Sequence, residues 1–312
     1  MSMPHAVLPR PGGPIFLADG GLETTLIFEN GMDLPLFAAF PLLLNQFGRQ
    51  QLAGYFEPFI EMARARNVGF VIDTPTWRAN KDWGEKLGFD AHALADVNRE
   101  AVLWAKSLRH GLAGDSDKFV VNGVIGPRGD GYRPTTLMDR ASAAHYHHAQ
   151  IEAFHGANAD MVTGLTMNYL DEACGIARAA ASFGIPCVIS FTVETDGNLA
   201  SGKSLREAIE TVDEDTNGSP IYYMINCAHP THFSSALGND EAWMQRLGGV
   251  RANASTKSHA ELDEATELDP GDPSDLAQRY GEMRKRFGHI AVLGGCCGTD
   301  RRHIAAICEA CL

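Results

Sequence analysis

Three of the seven cysteines in the sequence have a spacing that suits a shared metal ion. Cys296 and Cys297 are adjacent, and glycines stand at positions 294, 295 and 298. Neighbouring residues on a regular strand point to opposite faces, so two adjacent thiolates reach one metal only where the backbone leaves strand geometry. Glycine permits such backbone conformations. Together with Cys227, the pair would supply three thiolates and leave one position open, as at a catalytic zinc ion.

The cysteine pattern alone leaves other interpretations open. The adjacent pair could be two thiols of the core or a strained disulfide between neighbours. Cys227 precedes Cys296 by 69 residues, which excludes a short zinc-finger knuckle, so the fold itself would have to assemble the metal site. The other cysteines fall in predicted helices or inside a predicted strand and are interpreted as small buried hydrophobes: Cys174, Cys187, Cys308 and Cys311.

Short apolar or β-branched segments alternate with longer helical patterns along the whole chain, which is typical of βα units around a parallel sheet. We predict eight strands, at residues 15–18, 70–73, 119–125, 161–163, 187–191, 222–226, 250–253 and 290–293. We predict helices at residues 50–66, 91–110, 140–158, 171–183, 204–212, 273–286 and 300–310. Eight such strands favour an α/β fold with a single (β/α)8 TIM barrel domain over residues 1–312, in which residues 1–14 form an N-terminal extension.

The active site of such a barrel forms at the C-terminal ends of its strands. This rule brings the three cysteines together, because Cys227 follows the sixth predicted strand and Cys296 and Cys297 follow the eighth. It also nominates other residues that follow predicted strands, namely Asp19, Asp73, Thr76, Trp77, Gly126, Thr166, Thr192, Glu194 and Asn253. The glycine-rich stretch 126–131 is interpreted as a sharp loop over the site.

The motifs at these strand ends resemble those of the homocysteine S-methyltransferases, a family that includes betaine and S-methylmethionine enzymes and a domain of cobalamin-dependent methionine synthase. The resemblance covers nearly the whole chain. The most specific motifs are Asn226-Cys227 with Pro230 and the run 294–299, Gly-Gly-Cys-Cys-Gly-Thr. The other matching motifs are Asp19-Gly20-Gly21 with Glu23-Thr24, Thr76-Trp77-Arg78-Ala79, Gly126-Pro127, and Ser190-Phe191-Thr192 with Ser201-Gly202.

The resemblance implies zinc held by Cys227, Cys296 and Cys297, with transfer of a methyl group to a thiol bound as the fourth ligand. It also implies that the loop at Asp19 and Gly20 holds the amino-acid end of the thiol. Zinc lowers the pKa of a bound thiol, which would attack the methyl group as a thiolate.

Three further residues at the strand ends are predicted to contact substrate. These residues are Trp77, Thr166 and Asn226. Trp77 stands where the family usually has an aromatic ring. Because aromatic faces attract sulfonium and quaternary ammonium groups, Trp77 is a candidate contact for the methyl donor, although a ring at a strand end is also ordinary packing.

Leu165 departs from the family pattern. The family usually carries Glu-Thr after the fourth strand, with the Glu binding the α-amino group of the substrate, whereas this chain has Leu165-Thr166. A leucine cannot pair with an ammonium group. Either another carboxylate, such as Glu194 or Asp196, takes this part, or the acceptor is not homocysteine; the sequence leaves both open.

Histidines also lie near the cysteine motifs. His229 and His232 follow Cys227 closely, and His259 follows the seventh strand. Histidines at such positions shape loops more often than they bind metal. We therefore predict that the cysteines alone supply the protein ligands.

The net charge of −13 excludes a nucleic-acid or anionic-membrane partner on electrostatic grounds. The acidic run at 261–275 is interpreted as a solvated face. The N-terminus lacks signal-peptide features, and an odd number of cysteines in a long chain is typical of a reducing compartment, so a cytoplasmic location is expected. A homo-oligomer remains possible on sequence grounds.

The sequence therefore favours an enzyme that moves a methyl group from a sulfonium or betaine-like donor to a small thiol. One alternative keeps the zinc and transfers the methyl group with a separate corrinoid protein. Another is a non-catalytic protein that binds zinc or thiols and has lost methyl transfer together with the usual glutamate.

Overall fold

The computed structural model describes residues 6–114, 117–134, 136–238 and 241–312. Eight parallel strands form a closed barrel in chain order, with the eighth strand pairing with the first. The predicted (β/α)8 barrel is confirmed. The strands are β1 Phe16–Leu17, β2 Gly69–Asp73, β3 Phe119–Ile125, β4 Met161–Met167, β5 Cys187–Phe191, β6 Pro220–Asn226, β7 Leu247–Ala252 and β8 Val292–Gly295.

Helices follow the strands and surround the barrel. They are α1 Leu22–Thr24, α2 Gln46–Ala65, α3 Lys81–Lys86, α4 Ala91–Ala113, α5 Arg140–Gly156, α6 Leu170–Phe183, α7 Leu205–Thr216, α8 Pro230–Phe233, α9 His259–Asp263, α10 Pro273–Arg286 and α11 Arg301–Cys311. All seven predicted helices are present, with ends that shift by a few residues. Helix α2 begins four residues before its predicted start, because the side chain of Asn45 accepts a hydrogen bond from the backbone of Gly48 and caps it.

Almost every strand residue is buried, because each strand packs against the barrel interior on one side and the helices on the other. Side chains of alternate strand residues fill the interior, among them Phe16, Val71, Val120, Val188 and Val292. The opposite faces of the strands pack against the apolar faces of the helices in a second, larger cluster. This double burial explains why the strands read as short apolar runs in the sequence.

The described part of the N-terminal extension packs at the opposite end of the barrel from the strand C-termini. Ala6 and Leu8 pack against the interior cluster. The backbone of Val7 donates a hydrogen bond to Asp117, which precedes β3, and that of Gly12 donates one to His289, which precedes β8. Residues 1–5 lie outside the described part of the chain.

Strand register aligns the residues that matter for chemistry. Asn226, the last residue of β6, pairs in register with Arg251 of β7, and Ala252 pairs with Gly295 of β8. The three cysteines follow directly at this edge. Within the described residues, no helix is long and apolar enough to cross a membrane.

Candidate active site

The three predicted ligand cysteines meet at the C-terminal end of the barrel. Their sulfur atoms all lie within 4.8 Å of one another, and among the described residues they form the one such group of potential metal ligands. Cys227 and Cys296 are in direct sulfur–sulfur contact of the disulfide type, with Cα atoms 5.5 Å apart, and Cys297 is a free thiol. The structure therefore contains no disulfide between the adjacent pair Cys296 and Cys297.

In their reduced form, the three cysteines predicted from the sequence fit a zinc ion. Thiolates at about 2.3 Å from a tetrahedral zinc ion lie about 3.8 Å from each other. Three sulfur atoms that all lie within 4.8 Å of one another can therefore share one ion once the contact between Cys227 and Cys296 is reduced. Burial, together with the nearby Glu23 carboxylate, raises the pKa of the Cys297 thiol to about 11. Without a cation, this thiol would stay protonated at neutral pH, so a thiolate here needs a metal beside it.

The backbone at Cys227 is bent to aim its sulfur into the site. Cys227 has a φ of +55° and Thr166 a φ of +65°, a left-handed conformation that non-glycine residues rarely adopt. The Asn226 side chain holds both residues, because its Nδ2 donates to Thr166 Oγ1 at 2.9 Å and to Cys227 Sγ at 3.2 Å. Its Oδ1 accepts from the Thr166 backbone at 3.0 Å. Asn226 therefore orients the Cys227 sulfur, and in the reduced protein the same hydrogen bond would stabilise a thiolate.

Glycines allow the loop after β1 to lie against the turn that carries Cys296 and Cys297. A Cβ atom on Gly20 would stand 2.5 Å from the Thr299 carbonyl oxygen, and one on Gly21 would stand 2.8 Å from that of Cys296. Gly298 has a φ of +78°, which turns the chain sharply after Cys297. The glycines flanking the cysteines therefore act through close packing as well as through conformational freedom.

A buried ionic group lies beneath the cysteines. Arg251 donates hydrogen bonds to Asp19 Oδ1 and Asp73 Oδ2, and Tyr55 donates to Asp19 Oδ2 at 3.0 Å. All three charged side chains are at least nine-tenths buried. Both carboxylate oxygens of Asp19 thus have protein partners.

A cavity of about 360 Å³ opens above the cysteines. Several residues nominated from the sequence line it, namely Asp19, Gly20, Asp73, Trp77, Thr166, Asn226, Cys227, Cys296 and Cys297. Leu165 also lines the cavity, as do Gly131 and Tyr132 of the loop after β3. Tyr132 stacks on His259 with ring centroids 4.0 Å apart. The predicted loop over the site is therefore present.

The Glu194 carboxylate points to His259 and not into the cavity. It lies 3.2 Å from His259 Nδ1, and the other ring nitrogen of His259 lies 2.7 Å from the Cys227 carbonyl oxygen. Glu194 does not line the cavity, and Asp196 accepts hydrogen bonds from the backbone and side chain of Asn198 in an exposed turn. Neither carboxylate considered as a replacement for the usual glutamate faces the cavity.

The histidines after Cys227 have structural partners. His229 caps helix α8 by accepting a hydrogen bond from the Thr231 backbone, and burial lowers its pKa to about 4. His232 Nε2 donates to the Thr256 carbonyl oxygen at 2.9 Å. Both histidines shape the loop, as the sequence indicates.

Part of the acidic run after β7 reaches the cavity. Most of residues 261–275 are exposed, as expected of a solvated face. However, Asp263, Glu267 and Asp269 line the mouth of the cavity, and Asp130 joins them from the loop after β3. These carboxylates give the mouth a negative potential that attracts cationic ligands.

Three ionisable residues that line the cavity were not singled out by sequence reasoning, namely Glu23, Arg78 and Arg251. Glu23 and Arg78 were seen only as parts of motifs, and both line the cavity. Burial raises the pKa of Glu23 to about 7 and lowers that of Arg78. The available signal was a charged residue close to each strand-end motif: Glu23 lies two residues after Gly21, and Arg78 directly follows Trp77.

The whole barrel matches a known sequence family. Residues 16–311 match the profile of the homocysteine S-methyltransferases. The chain belongs to the homocysteine S-methyltransferase family. It is therefore a methyltransferase, and its chemistry is methyl transfer to a thiol. No curated protein sequence matches the chain at a significant level.

Solved structures show the same fold. The homocysteine methyltransferase MmuM from Escherichia coli in its oxidised form is 20% identical, with a TM-score of 0.74 and 96% of each chain covered. The metallated form of that enzyme is also 20% identical, with a TM-score of 0.71, 95% of this chain covered and 96% of that one. At this identity the likeness establishes the barrel fold.

Proposed function

We propose that this protein is a zinc-dependent S-methyltransferase that moves a methyl group from a sulfonium or betaine-like donor to a small thiol such as homocysteine. The group of three sulfur atoms within 4.8 Å at the floor of a cavity carries the proposal. Cys227, Cys296 and Cys297 would hold the zinc ion in the reduced protein. Bound zinc would keep the acceptor thiol deprotonated at neutral pH. With homocysteine as acceptor, the product would be methionine.

The surrounding residues would orient the reactants and exclude water. Asn226 donates a hydrogen bond to Cys227 Sγ, and Thr166 lies beside the same sulfur with its Oγ1 at 3.9 Å. Asp19 and Gly20 are also proposed to lie beside the acceptor. Asp19 would act there through its hydrogen bonds with Arg251 and Tyr55. Glu194 would act indirectly, by orienting His259.

The donor is proposed to bind between Trp77 and the acidic mouth of the cavity. Trp77 lines the cavity, and its Nε1 donates to the Leu165 carbonyl oxygen at 3.4 Å, which holds the ring in place. An aromatic face attracts a cationic methyl donor. The carboxylates of Asp130, Asp263 and Glu267 at the mouth add a favourable potential for the same charge.

The proposal is tested by assaying reduced, zinc-loaded protein for methyl transfer to homocysteine from a panel of donors that includes S-methylmethionine and betaine. We expect turnover with at least one donor and loss of turnover after chelation. Turnover only on addition of a methylated corrinoid protein would replace this function with the corrinoid alternative. No methyl transfer from any donor would favour the non-catalytic alternative.

A further inference from the structure

Arg78 is a mostly buried cation without an anionic contact. Its guanidinium group forms no ion pair or hydrogen bond with any described residue, and its Nε is sealed from solvent without a hydrogen-bond partner. The guanidinium group packs over two tryptophan rings, with its Cζ atom 3.8 Å from the ring centroid of Trp83 and 5.0 Å from that of Trp77. Buried charges are normally paired, so a cation that lines a cavity in this state is suited to an anionic group of a ligand.

Glu23 carries the opposite charge and lines the same cavity. No side chain of the described residues donates a hydrogen bond to its carboxylate or forms an ion pair with it. Its own backbone N–H and the charges of Arg78 and Arg251 favour its ionised form. Burial opposes ionisation of this carboxylate. A ligand cation beside Glu23 would offset that penalty.

The partners for an ammonium group that the sequence suggested are not available, and the carboxylates of Asp130, Asp263, Glu267 and Asp269 lie at the mouth of the cavity. Leu165 offers only a hydrocarbon surface to the cavity, and both oxygens of Asp19 accept hydrogen bonds from Arg251 and Tyr55. Glu194 is turned to His259. Glu23 and Arg78 therefore line one cavity as an anion and a cation that have no ion-pair partner among the described residues. Each favours the charged form of the other.

We propose that Glu23 and Arg78 together bind the α-amino acid group of a substrate, Glu23 pairing with the ammonium and Arg78 with the carboxylate. The guanidinium fork can bind a carboxylate through two hydrogen bonds. The thiol acceptor is the expected source of this group, because the loop that carries Glu23 lies against the cysteine turn: Gly298 donates a hydrogen bond to Thr24 Oγ1 at 3.2 Å. This inference rests on the proposed function, and it explains how homocysteine would bind despite Leu165.

The test uses four thiols of matched length with the reduced, zinc-loaded protein: homocysteine, 4-mercaptobutanoate, 3-mercaptopropylamine and 1-propanethiol. These carry both charged groups, only the carboxylate, only the ammonium, or neither. Binding is measured by calorimetry without a methyl donor, so failure of the proposed methyl transfer would leave this test intact. We expect wild-type protein to bind homocysteine most tightly and propanethiol least tightly.

Two variants, each of which removes one charge, separate the contributions of the two residues. Glu23→Gln should weaken only the two thiols that carry an ammonium, and Arg78→Gln only the two that carry a carboxylate. Each loss should be about tenfold to a hundredfold, as expected for one hydrogen bond to a charged group. Arg78→Lys should retain part of the carboxylate preference. Glu100→Gln makes the same chemical change in an exposed ion pair with Arg49 outside the cavity and should leave all four affinities unchanged.

The outcomes separate the possible sources of the group. If the variants leave thiol binding unchanged but raise KM for S-methylmethionine and not for dimethylpropylsulfonium, the amino acid group belongs to the donor. Equal binding of homocysteine and propanethiol by the wild type, with no selective loss for thiol or donor in either variant, would overturn the proposal. The wild-type ranking alone decides this point for the thiol if a variant fails to fold.

Discussion

The chemistry of the site depends on three sulfur atoms with no spare ligand nearby. Among the described residues, no histidine or carboxylate joins the group formed by Cys227, Cys296 and Cys297. We expect the reduced protein to bind about one zinc ion per chain and Cys297→Ser to lose most of it, because a three-thiolate site cannot replace a lost ligand. Metal content is measured by mass spectrometry after desalting.

The matched control is a cysteine outside the site. Cys308 is buried in α11, where its Sγ lies 3.6 Å from Met62 Sδ, so Cys308→Ala should keep the metal. Full zinc retention in single serine variants of all three site cysteines would show that the ion binds elsewhere.

At the level of elements, the site depends on how closely the β1 loop approaches the turn after β8. In Gly21→Ala, the new Cβ would collide with Thr24 Oγ1 in its own loop and would stand 2.8 Å from the Cys296 carbonyl oxygen and 3.2 Å from the Cys297 Cα. We expect a loss of about 1–3 kcal/mol in the free energy of unfolding, together with weaker metal binding, because overpacking forces the backbone to shift. Urea denaturation and metal content measure the two effects.

Gly54→Ala provides the control for the same chemical change. Gly54 is exposed in α2, and a Cβ there would meet nothing within 4 Å. This substitution should stabilise the protein by about 0.5–1 kcal/mol, because alanine favours helix more than glycine. If Gly21→Ala behaves like Gly54→Ala, the close approach has no energetic importance.

The helix that follows the cysteine turn has a charge-dependent start. Asp300 caps α11, and although burial raises its pKa, hydrogen bonds from His303 and Arg302 hold that pKa well below its usual range. A lowered pKa in the folded state stabilises the protein above the unfolded pKa of about 3.8, and this contribution is lost as the pH falls.

Asp300→Asn keeps a capping side chain but removes the charge. We expect the variant to be less stable than the wild type by about 0.5–1 kcal/mol at pH 7, as for other charges at helix ends. The difference should shrink as the pH falls below about 4, measured by urea denaturation across pH. A difference that stays constant with pH would assign the effect to packing.

The elements themselves were largely predictable from the sequence. Strands buried on both faces produce apolar runs, and the amphipathic helices between them have a helical period, so both gave clear signals. The segment between α1 and α2 did not, because it contains π-helical and 3₁₀ turns, such as Thr25–Glu29 and Phe40–Leu44, which have no long periodic pattern. Strand β4 also extends beyond its predicted end, to Met167.

The meeting of the three cysteines was predictable, but the directions of the charged side chains around the cavity were not. Ligand cysteines are recognisable by residue type and by their position after strands. The direction of a carboxylate is set by its neighbours in space: His259 holds Glu194, while Glu23 has no such partner and faces the cavity. No spacing along the chain encodes that difference.

On the scale of the whole molecule, Arg251 connects distant parts of the barrel. From β7 it reaches Asp19 after β1 and Asp73 at the end of β2. Arg251→Met would leave two buried carboxylates without a cation, and we expect a loss of about 3–5 kcal/mol in stability. Asp73→Asn should cost less, because Arg251 keeps Asp19 as a partner. Urea denaturation of both variants measures this; a loss below about 1 kcal/mol for Arg251→Met would contradict the role of this group.

The closure of the barrel between β8 and β1 also determines when the metal site can exist during synthesis. Cys227 and Cys296 are separated by 69 residues, which a ribosome adds in roughly 3 to 14 seconds at typical rates. During that interval Cys227 has left the peptidyl transferase centre without its partner cysteines, and the metal cannot guide the folding of the first six strands. In the proposed zinc enzyme, metal uptake would thus be a late event that reports completion of the barrel, and a nascent chain stalled before β8 would carry an unprotected thiol open to oxidation.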